Sequence, residues 1–319
     1  MNNQKVVIVH RHTRLDELMV RHCTRGQVAF YLSRLGEDFA AYEDEHNRYY
    51  DGLNTLKSSL SRQYRLQMVE RAHLPSYRFV ADDIVIVIGQ DGLVANTIKY
   101  LSTQAIIAVN PLPDLYDGKL LPFSLNECED IVDMQANNKT LGEVGSDNNN
   151  GLKSKSISMA QITTNVGQTL LAVNDLFIGP KSHSSLRYHI QHGQQQECQS
   201  SSGIIVSTGL GATGWFSSIL AGANGISGNS KQTNTALTNF QWDSPYLYFS
   251  VREPFPSQTT STSIVFGKVN SRKSLTITSK TAENGVIFSD GIEDDAISFN
   301  AGTVAKVELS KRVGNLLIG

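Results

Sequence analysis

Three cysteines in 319 residues, Cys23, Cys128 and Cys198, are far apart and form no Cys-x-x-Cys pair. That excludes a disulfide framework and a thiolate zinc cluster, and a reducing, cytoplasmic setting is the simplest expectation. Charge of either sign is scarce: 18% of residues are charged and the formal net charge is −2, which gives no sign of a nucleic-acid surface. No apolar run approaches the roughly 20 residues that span a bilayer, so no membrane association is expected. The start, Met1 to His10, leads straight into the apolar run Val6 to Val9, with neither a signal h-region nor a transit segment. A chain of this length at 40% hydrophobic can bury one large or two medium cores.

The densest information lies in residues 83–97. Ile84 to Ile88 is β-branched throughout and reads as a parallel strand buried on both faces. It runs into Gly89-Gln90-Asp91-Gly92, at the strand's carboxyl end, where an open α/β sheet places its ligand. Gly89 and Gly92 let backbone N–H groups face phosphate oxygens, and Leu93 to Leu101 suits a helix whose N-terminal end points at the same spot. A carboxylate there, Asp91, serves either to accept a proton from an attacking hydroxyl or to hold a metal ion. The alternative is a turn in which Asp91 only caps the next helix.

The pattern changes near residue 125. Before it, Lys5 to His10, Ile84 to Ile88 and Ala105 to Val109 read as strands, and Thr24 to Leu35, Asn54 to Arg65 and Val94 to Leu101 as helices. That alternation predicts a doubly wound, Rossmann-like α/β domain over 1–125, with the C-terminal tail as a candidate to complete it. From 126 to 319 short alternating runs predict an antiparallel β-sandwich: Gln168 to Ile178, Leu186 to Gln191, Gly203 to Ser207, Pro245 to Arg252, Ser274 to Thr278, Val286 to Ser289 and Val304 to Leu309. Gln135 to Ser156, Gln191 to Ser202 and Ser227 to Gln241 are polar and are expected to be loops or hairpin tips. On an alternating strand His189 and His192 fall on opposite faces, so His183, His189 and His192 are not expected to share a metal.

Two motifs in the second half carry chemistry. Asn174-Asp175 sits within the apolar run Ala172 to Ile178, where a buried amide and carboxylate need partners. The pair either reads a base edge or ribose hydroxyls, or ends a strand by bonding its own backbone. Ser207 to Trp215 is a Gly/Thr-rich turn leading into the small-residue helix Phe216 to Ala223. It is a nucleotide cradle with hydroxyls and N–H groups, or a structural turn capped by Thr213. The segment His22 to Tyr50, with Tyr42-Glu43-Asp44-Glu45-His46, reads as a helix and then an acidic arm or lid, or as a solvated charge run.

These motifs, in this order, resemble the NAD kinase family, within the superfamily of diacylglycerol and sphingosine kinases. The family carries Gly-Gly-Asp-Gly-Thr after a strand, an Asn-Glu or Asn-Asp pair, and a Ser-Thr-Pro-Thr-Gly-Ser-Thr-Ala-Tyr-like turn; Gly89 to Leu93, Asn174 with Asp175, and Ser207 to Trp215 stand there. The similarity extends through Val109-Asn110-Pro111, Phe249 to Pro254 and Ser289-Asp290-Gly291, covers most of the chain from about residue 78, and looks closest to the mitochondrial-type branch, which likewise has Ser-Ser-Gly before the turn. The resemblance implies phosphoryl transfer from ATP or polyphosphate, with Mg²⁺ carried by the nucleotide, to the 2′-hydroxyl of NAD, giving NADP. It implies Asp91 as base, Gly89, Gln90 and Gly92 at the phosphates, Asn174 and Asp175 on the acceptor's ribose or base, and Ser207, Thr208 and Thr213 on the adenine side. It also implies a homo-oligomer, dimer or tetramer.

This sequence departs from the pattern at Gln90 for glycine, Leu93 for threonine, Gly209-Leu210 for Pro-Thr and Gly214-Trp215 for Ala-Tyr. Asn96 and Lys99 are candidates to replace the lost phosphate contacts, with an exposed helix face as the other reading of Lys99. The departures leave open a changed donor or acceptor, a kinase for another hydroxylated metabolite, or a nucleotide-binding protein without turnover. A lipid kinase is disfavoured because no large apolar insertion for an acyl chain is evident.

Overall fold

The computed structural model describes residues 4–140, 152–228 and 240–319. The chain forms two compact units, residues 1–155 with 315–319, and residues 156–314.

The first unit starts with β1 (Lys5–His10), followed by three helices, α1 (Arg14–His22), α2 (Arg25–Leu35) and α3 (Phe39–Leu60). Then come β2 (Arg65–Glu70), β3 (Ile84–Ile88), α4 (Asp91–Ile98), β4 (Ala105–Asn110), β5 (Phe123–Ser124) and α5 (Cys128–Thr140). β2, β1, β3 and β4 pair in that order, all parallel, with Val6 opposite Ile84 and Val85 opposite Ile106. β5 pairs in parallel with the carboxyl end of β4, and residues 315–316 pair in parallel with its start. One sheet face, built from Val6, Ile8, Ile84, Ile86, Ile107 and Val109, is covered by Tyr49, Leu53, Leu56 and Leu60 of α3 and by Cys128, Ile131, Val132 and Ala136 of α5. Strand alternation turns Val7, Val9, Val85 and Val87 to the other face, so the strands are apolar on both sides.

The structure corrects the expected division at 125. α5 packs into the core of the first unit, so that unit runs to 155. The expected helix Asn54 to Arg65 is the second half of α3, which begins at Phe39, and Arg65 already starts β2. The buried face of α3 is Glu45, Tyr49, Gly52, Leu53, Leu56 and Leu60, a helical spacing disguised by its acid and glycine. Asp38 caps it by accepting from the Ala40 N–H at 2.9 Å.

The second unit is a sandwich of two sheets. Its strands are β6 (Lys153–Thr164, entering from the first unit), β7 (Thr169–Ala172), β8 (Asp175–Pro180), β9 (Leu186–His192), β10 (Gln195–Ser201) and β11 (Ile204–Ser207). After helix α6 (Trp215–Ser227) follow β12 (Leu247–Val251), β13 (Phe266–Val269), β14 (Leu275–Ser279), β15 (Gly285–Ser289), β16 (Ile292–Ser298) and β17 (Val304–Ile318). One sheet runs β10-β9-β14-β17, with β6 and β7 beyond, and the other runs β13-β12-β11-β8-β15-β16. Leu186, Tyr188, Ile190, Leu275 and Ile277 from one sheet and Leu176, Ile178, Ile204, Val206, Leu247 and Phe249 from the other form a common core.

Gln191 to Ser202, expected as a loop, is largely strand. β10 pairs antiparallel with β9, Gln195 opposite His192; Gln195 and Gln196 are exposed, and the polar side chains further along are half-buried or buried against partners. Tyr188 Oη donates to Gln199 Oε1 at 2.8 Å, and Glu197 accepts from the Ile264 N–H at 2.8 Å. His189 is exposed and His192 buried on opposite faces of β9, His192 Nε2 lying 2.9 Å from the Lys268 carbonyl. The middle parts of Gln135 to Ser156 and Ser227 to Gln241 lie outside the described residues. Among the described residues no helix is long and apolar enough to cross a membrane.

Candidate functional site

In the first unit, the candidate residues gather at the carboxyl end of β3. Gly89 leaves the strand with φ 154°, a region that side chains disfavour. The turn is pinned from beneath by Tyr49, whose hydroxyl accepts from the Arg11 N–H at 3.1 Å and donates to the Ile88 carbonyl at 3.1 Å. Burial pushes the Tyr49 phenol up to about 12, so it remains a neutral donor. Gln90 is half-buried and makes no cap bond; Gly92 is exposed, with open space around it.

Asp91 is the first residue of α4. Its carboxylate accepts from the Leu120 N–H at 2.8 Å and the Lys119 N–H at 3.2 Å, so it ties the turn to the segment before β5 and is not the helix cap. Leu93 is 3% exposed, its Cδ2 3.2 Å from where a Cβ on Gly89 would lie. The position that carries a hydroxyl in the family motif is here a packing residue beneath the turn. Asn96 and Lys99 are each 5% exposed, which corrects the exposed-face reading of Lys99.

The acidic, aromatic segment 38–50 belongs to α3 and is neither an arm nor wholly solvated. Glu45, 1% exposed, accepts from Arg14 Nε at 2.7 Å, Arg14 Nη2 at 2.5 Å and Tyr116 Oη at 2.7 Å. Burial of that carboxylate is tolerable because several charge-assisted bonds replace its water. Its neighbours Glu43 and Asp44 are the solvated part, paired with Arg25 and Arg48.

The second unit holds the other group. A cavity of about 350 Å³ is lined by Asn174, Asp175, Leu210, Gly211, Thr213, Gly214, Trp215, Asp290 and Gly291. Asp290 and Gly291 take φ 55° and 70° in the hairpin between β15 and β16. From that turn the Asp290 carboxylate accepts from the N–H groups of Val173 at 3.0 Å, Asn174 at 2.7 Å and Asp175 at 3.4 Å. The Asn174 carbonyl takes the Thr208 N–H at 2.9 Å, so the backbone of the Asn-Asp pair is fixed on both sides. Its two side chains make no hydrogen bond among the described residues, although Asp175 is buried. Burial, with Asp290 nearby, pushes the Asp175 carboxyl up to about 7.

Ser207 and Thr208 do not line this cavity. Both are fully buried: Ser207 Oγ donates to the Thr208 carbonyl at 3.0 Å, while Thr208 Oγ1 donates to the Val173 carbonyl and accepts from the Gly211 N–H at 3.2 Å. They hold the turn together, and of the three hydroxyl residues only Thr213 is exposed at the cavity. The turn packs so tightly that a Cβ on Gly211 would lie 2.1 Å from the Asn174 carbonyl oxygen. Trp215 stacks on Phe177 at 5.6 Å and 14°, with the Arg252 guanidinium 5.6 Å from its ring. Asp290 and Trp215 lie within motifs that resemble the NAD kinase pattern, but sequence assigns neither a role in the site. The Asp-Gly hairpin signal at 290–291 was the available clue to the first.

The two groups differ chemically. A cavity with two carboxylates, an amide and an indole, and with no lysine or arginine among the described residues that line it, suits hydroxyls and a planar ring rather than phosphate. The bare Gly89–Gly92 turn at a helix N-terminus suits phosphate. Among the described residues no three His, Cys, Asp or Glu side chains converge as metal ligands.

No protein-family model matches the sequence, and no curated protein matches it. Among solved structures, an NAD kinase from Archaeoglobus fulgidus, in complex with ATP, is 12% identical with a TM-score of 0.53, over 98% of this chain and 92% of that one. Yeast NADH kinase, complexed with NADH, is 14% identical with a TM-score of 0.57, over 100% of this chain and 84% of that one. An α/β unit with a parallel sheet followed by an antiparallel β unit is thus the fold this chain has in common with those NAD and NADH kinases.

Proposed function

We propose that this protein is an NAD kinase-like phosphotransferase that moves a phosphoryl group from ATP, or polyphosphate, to the 2′-hydroxyl of NAD. The observation that carries the reading is a fold match to an NAD kinase and an NADH kinase over nearly the whole chain. Asp91, at the carboxyl end of β3, accepts the 2′-hydroxyl proton as that oxygen bonds to the terminal phosphorus, and the bond to the bridging oxygen breaks with ADP as the leaving anion. The Gly89, Gln90 and Gly92 backbone binds phosphate, and Mg²⁺ arrives with the nucleotide, where it offsets charge on the transferring group. Asn174 and Asp175 bind the acceptor's ribose or base, with Thr213 beside them; Ser207 and Thr208 act by holding the turn. The active protein is a cytoplasmic homo-oligomer of the mitochondrial-type branch.

The test is NADP formation from NAD, Mg²⁺ and either ATP or polyphosphate, scored with an NADP-specific dehydrogenase. Asp91→Asn is expected to lower turnover by roughly two to four orders of magnitude while NAD still raises the melting temperature. Equal turnover in the variant sinks the assignment of the base. A second reading, a nucleotide-binding protein without turnover, is favoured by one observation: both Asp91 oxygens already accept backbone N–H bonds from the segment before β5, a structural task that needs no proton transfer. NAD binding with no product from wild-type protein supports that reading.

A further inference from the structure

We propose that Arg11 holds a phosphate group of the donor over the Gly89–Gly92 turn, as a binding residue supplied by the end of β1. The proposal rests on the phosphotransferase reading and names a residue outside the family motifs. β1 and β3 run parallel with Val9 opposite Val87, so two residues later Arg11 comes level with Gly89. Its Cγ and Cδ lie 3.9 Å from where a Gly89 Cβ would stand, so the aliphatic stem covers the face that the glycine leaves bare.

The guanidinium is held in place but only partly satisfied: it hydrogen-bonds the Tyr116 side chain and pairs with Glu45. Its Nε and Nη2 are buried and have no hydrogen-bond partner among the described residues. The nearest carboxylate, Glu45, lies 3.6 Å from Nη2, an ion-pair distance too long for a hydrogen bond, and it is already engaged by Arg14 and Tyr116. Tyr49 fixes the Arg11 main chain through its N–H. Buried donors without acceptors cost free energy, and on a planar fork they match two oxygens of one phosphate. The residues of α4 that sequence suggested for this task, Asn96 and Lys99, are buried in the fold, as is Leu93 at the position of the family's threonine. Arg11 therefore supplies the charge and donors that the divergent turn lacks.

The test is calorimetric titration of the full chain with inorganic tripolyphosphate, comparing wild type, Arg11→Met and Arg11→Lys. Methionine keeps much of the stem over Gly89 and removes the fork. Wild type is expected to bind, Arg11→Met to bind at least roughly tenfold more weakly, and Arg11→Lys to fall between. Wild-type protein that does not bind, or Arg11→Met within twofold of it, overturns the proposal. If Arg11→Met fails to fold, Arg11→Lys decides: equal affinity overturns it and weaker affinity supports it. NADP formation on the same preparations separates the two claims. Tripolyphosphate binding lost with Arg11 but no NADP from wild type sinks the kinase reading alone, whereas turnover with an unchanged KM for ATP in Arg11→Met sinks the Arg11 role alone.

Discussion

Asp91 and Asp175 are both acids beside glycine-containing turns, and their surroundings set them to different tasks. Asp91 accepts two backbone N–H bonds that tie its turn to the segment before β5, whereas Asp175 is buried near Asp290 with no side-chain hydrogen bond among the described residues. The folded pKa of Asp175 is raised above its unfolded value, so the fold binds its proton more tightly than the unfolded chain does. The cost of ionising it is absent at pH below about 4, accumulates as pH rises toward about 7, and is constant above. Asp175→Asn is therefore expected to gain stability relative to wild type across that window, by up to about 4 kcal/mol, in urea melts at pH 4 and pH 8. A difference that does not change with pH would place the carboxyl in water. Leu93 offers the opposite lesson: Leu93→Thr is expected to destabilise the protein by roughly 2–5 kcal/mol, because a hydroxyl and a smaller volume replace a packed leucine. A rise in activity without loss of melting temperature in Leu93→Thr would contradict that.

At the scale of the element, legibility followed apolarity. β1 and β3 are legible in the sequence because β-branched runs buried on both faces have no competing reading. α3 and β10 were misread because their buried faces include Glu45, Tyr49, Gln199 and Ser201, whose burial depends on partners distant in sequence. The candidate site divides in the same way. The Gly89–Gly92 turn, the Asn174-Asp175 pair and the motifs holding Asp290 and Trp215 are legible locally, but Arg11 enters only through strand register, and the tasks of Asp290 and Trp215 only through the contacts the fold gives them. Sequence also could not tell that the hydroxyls of Ser207 and Thr208 face inward. Tyr49→Phe tests how far α3 supports the turn: losing bonds to the Arg11 N–H and the Ile88 carbonyl is expected to cost about 1–3 kcal/mol. Hydrogen exchange should speed at the amides of residues 11 and 89; unchanged exchange there would mean that the turn holds itself.

For the whole molecule, the first unit takes its last five residues from the end of the chain. Residues 315–316 pair with Ala105 and Ile106, and Leu316 and Leu317 are buried. Deleting residues 315–319 is expected to expose the start of β4 and to lower amide protection in β3 and β4 before it does so in β8 or β11. Equal loss everywhere would show one cooperative unit instead of two. The same connectivity bears on synthesis. As the polypeptide leaves the ribosome, the α/β half emerges first but lacks its closing strand until the entire β half has followed. Its closing pairing thus waits until residues 156–314 have been made, and a chain stopped before residue 315 would carry an unfinished sheet edge into the cell.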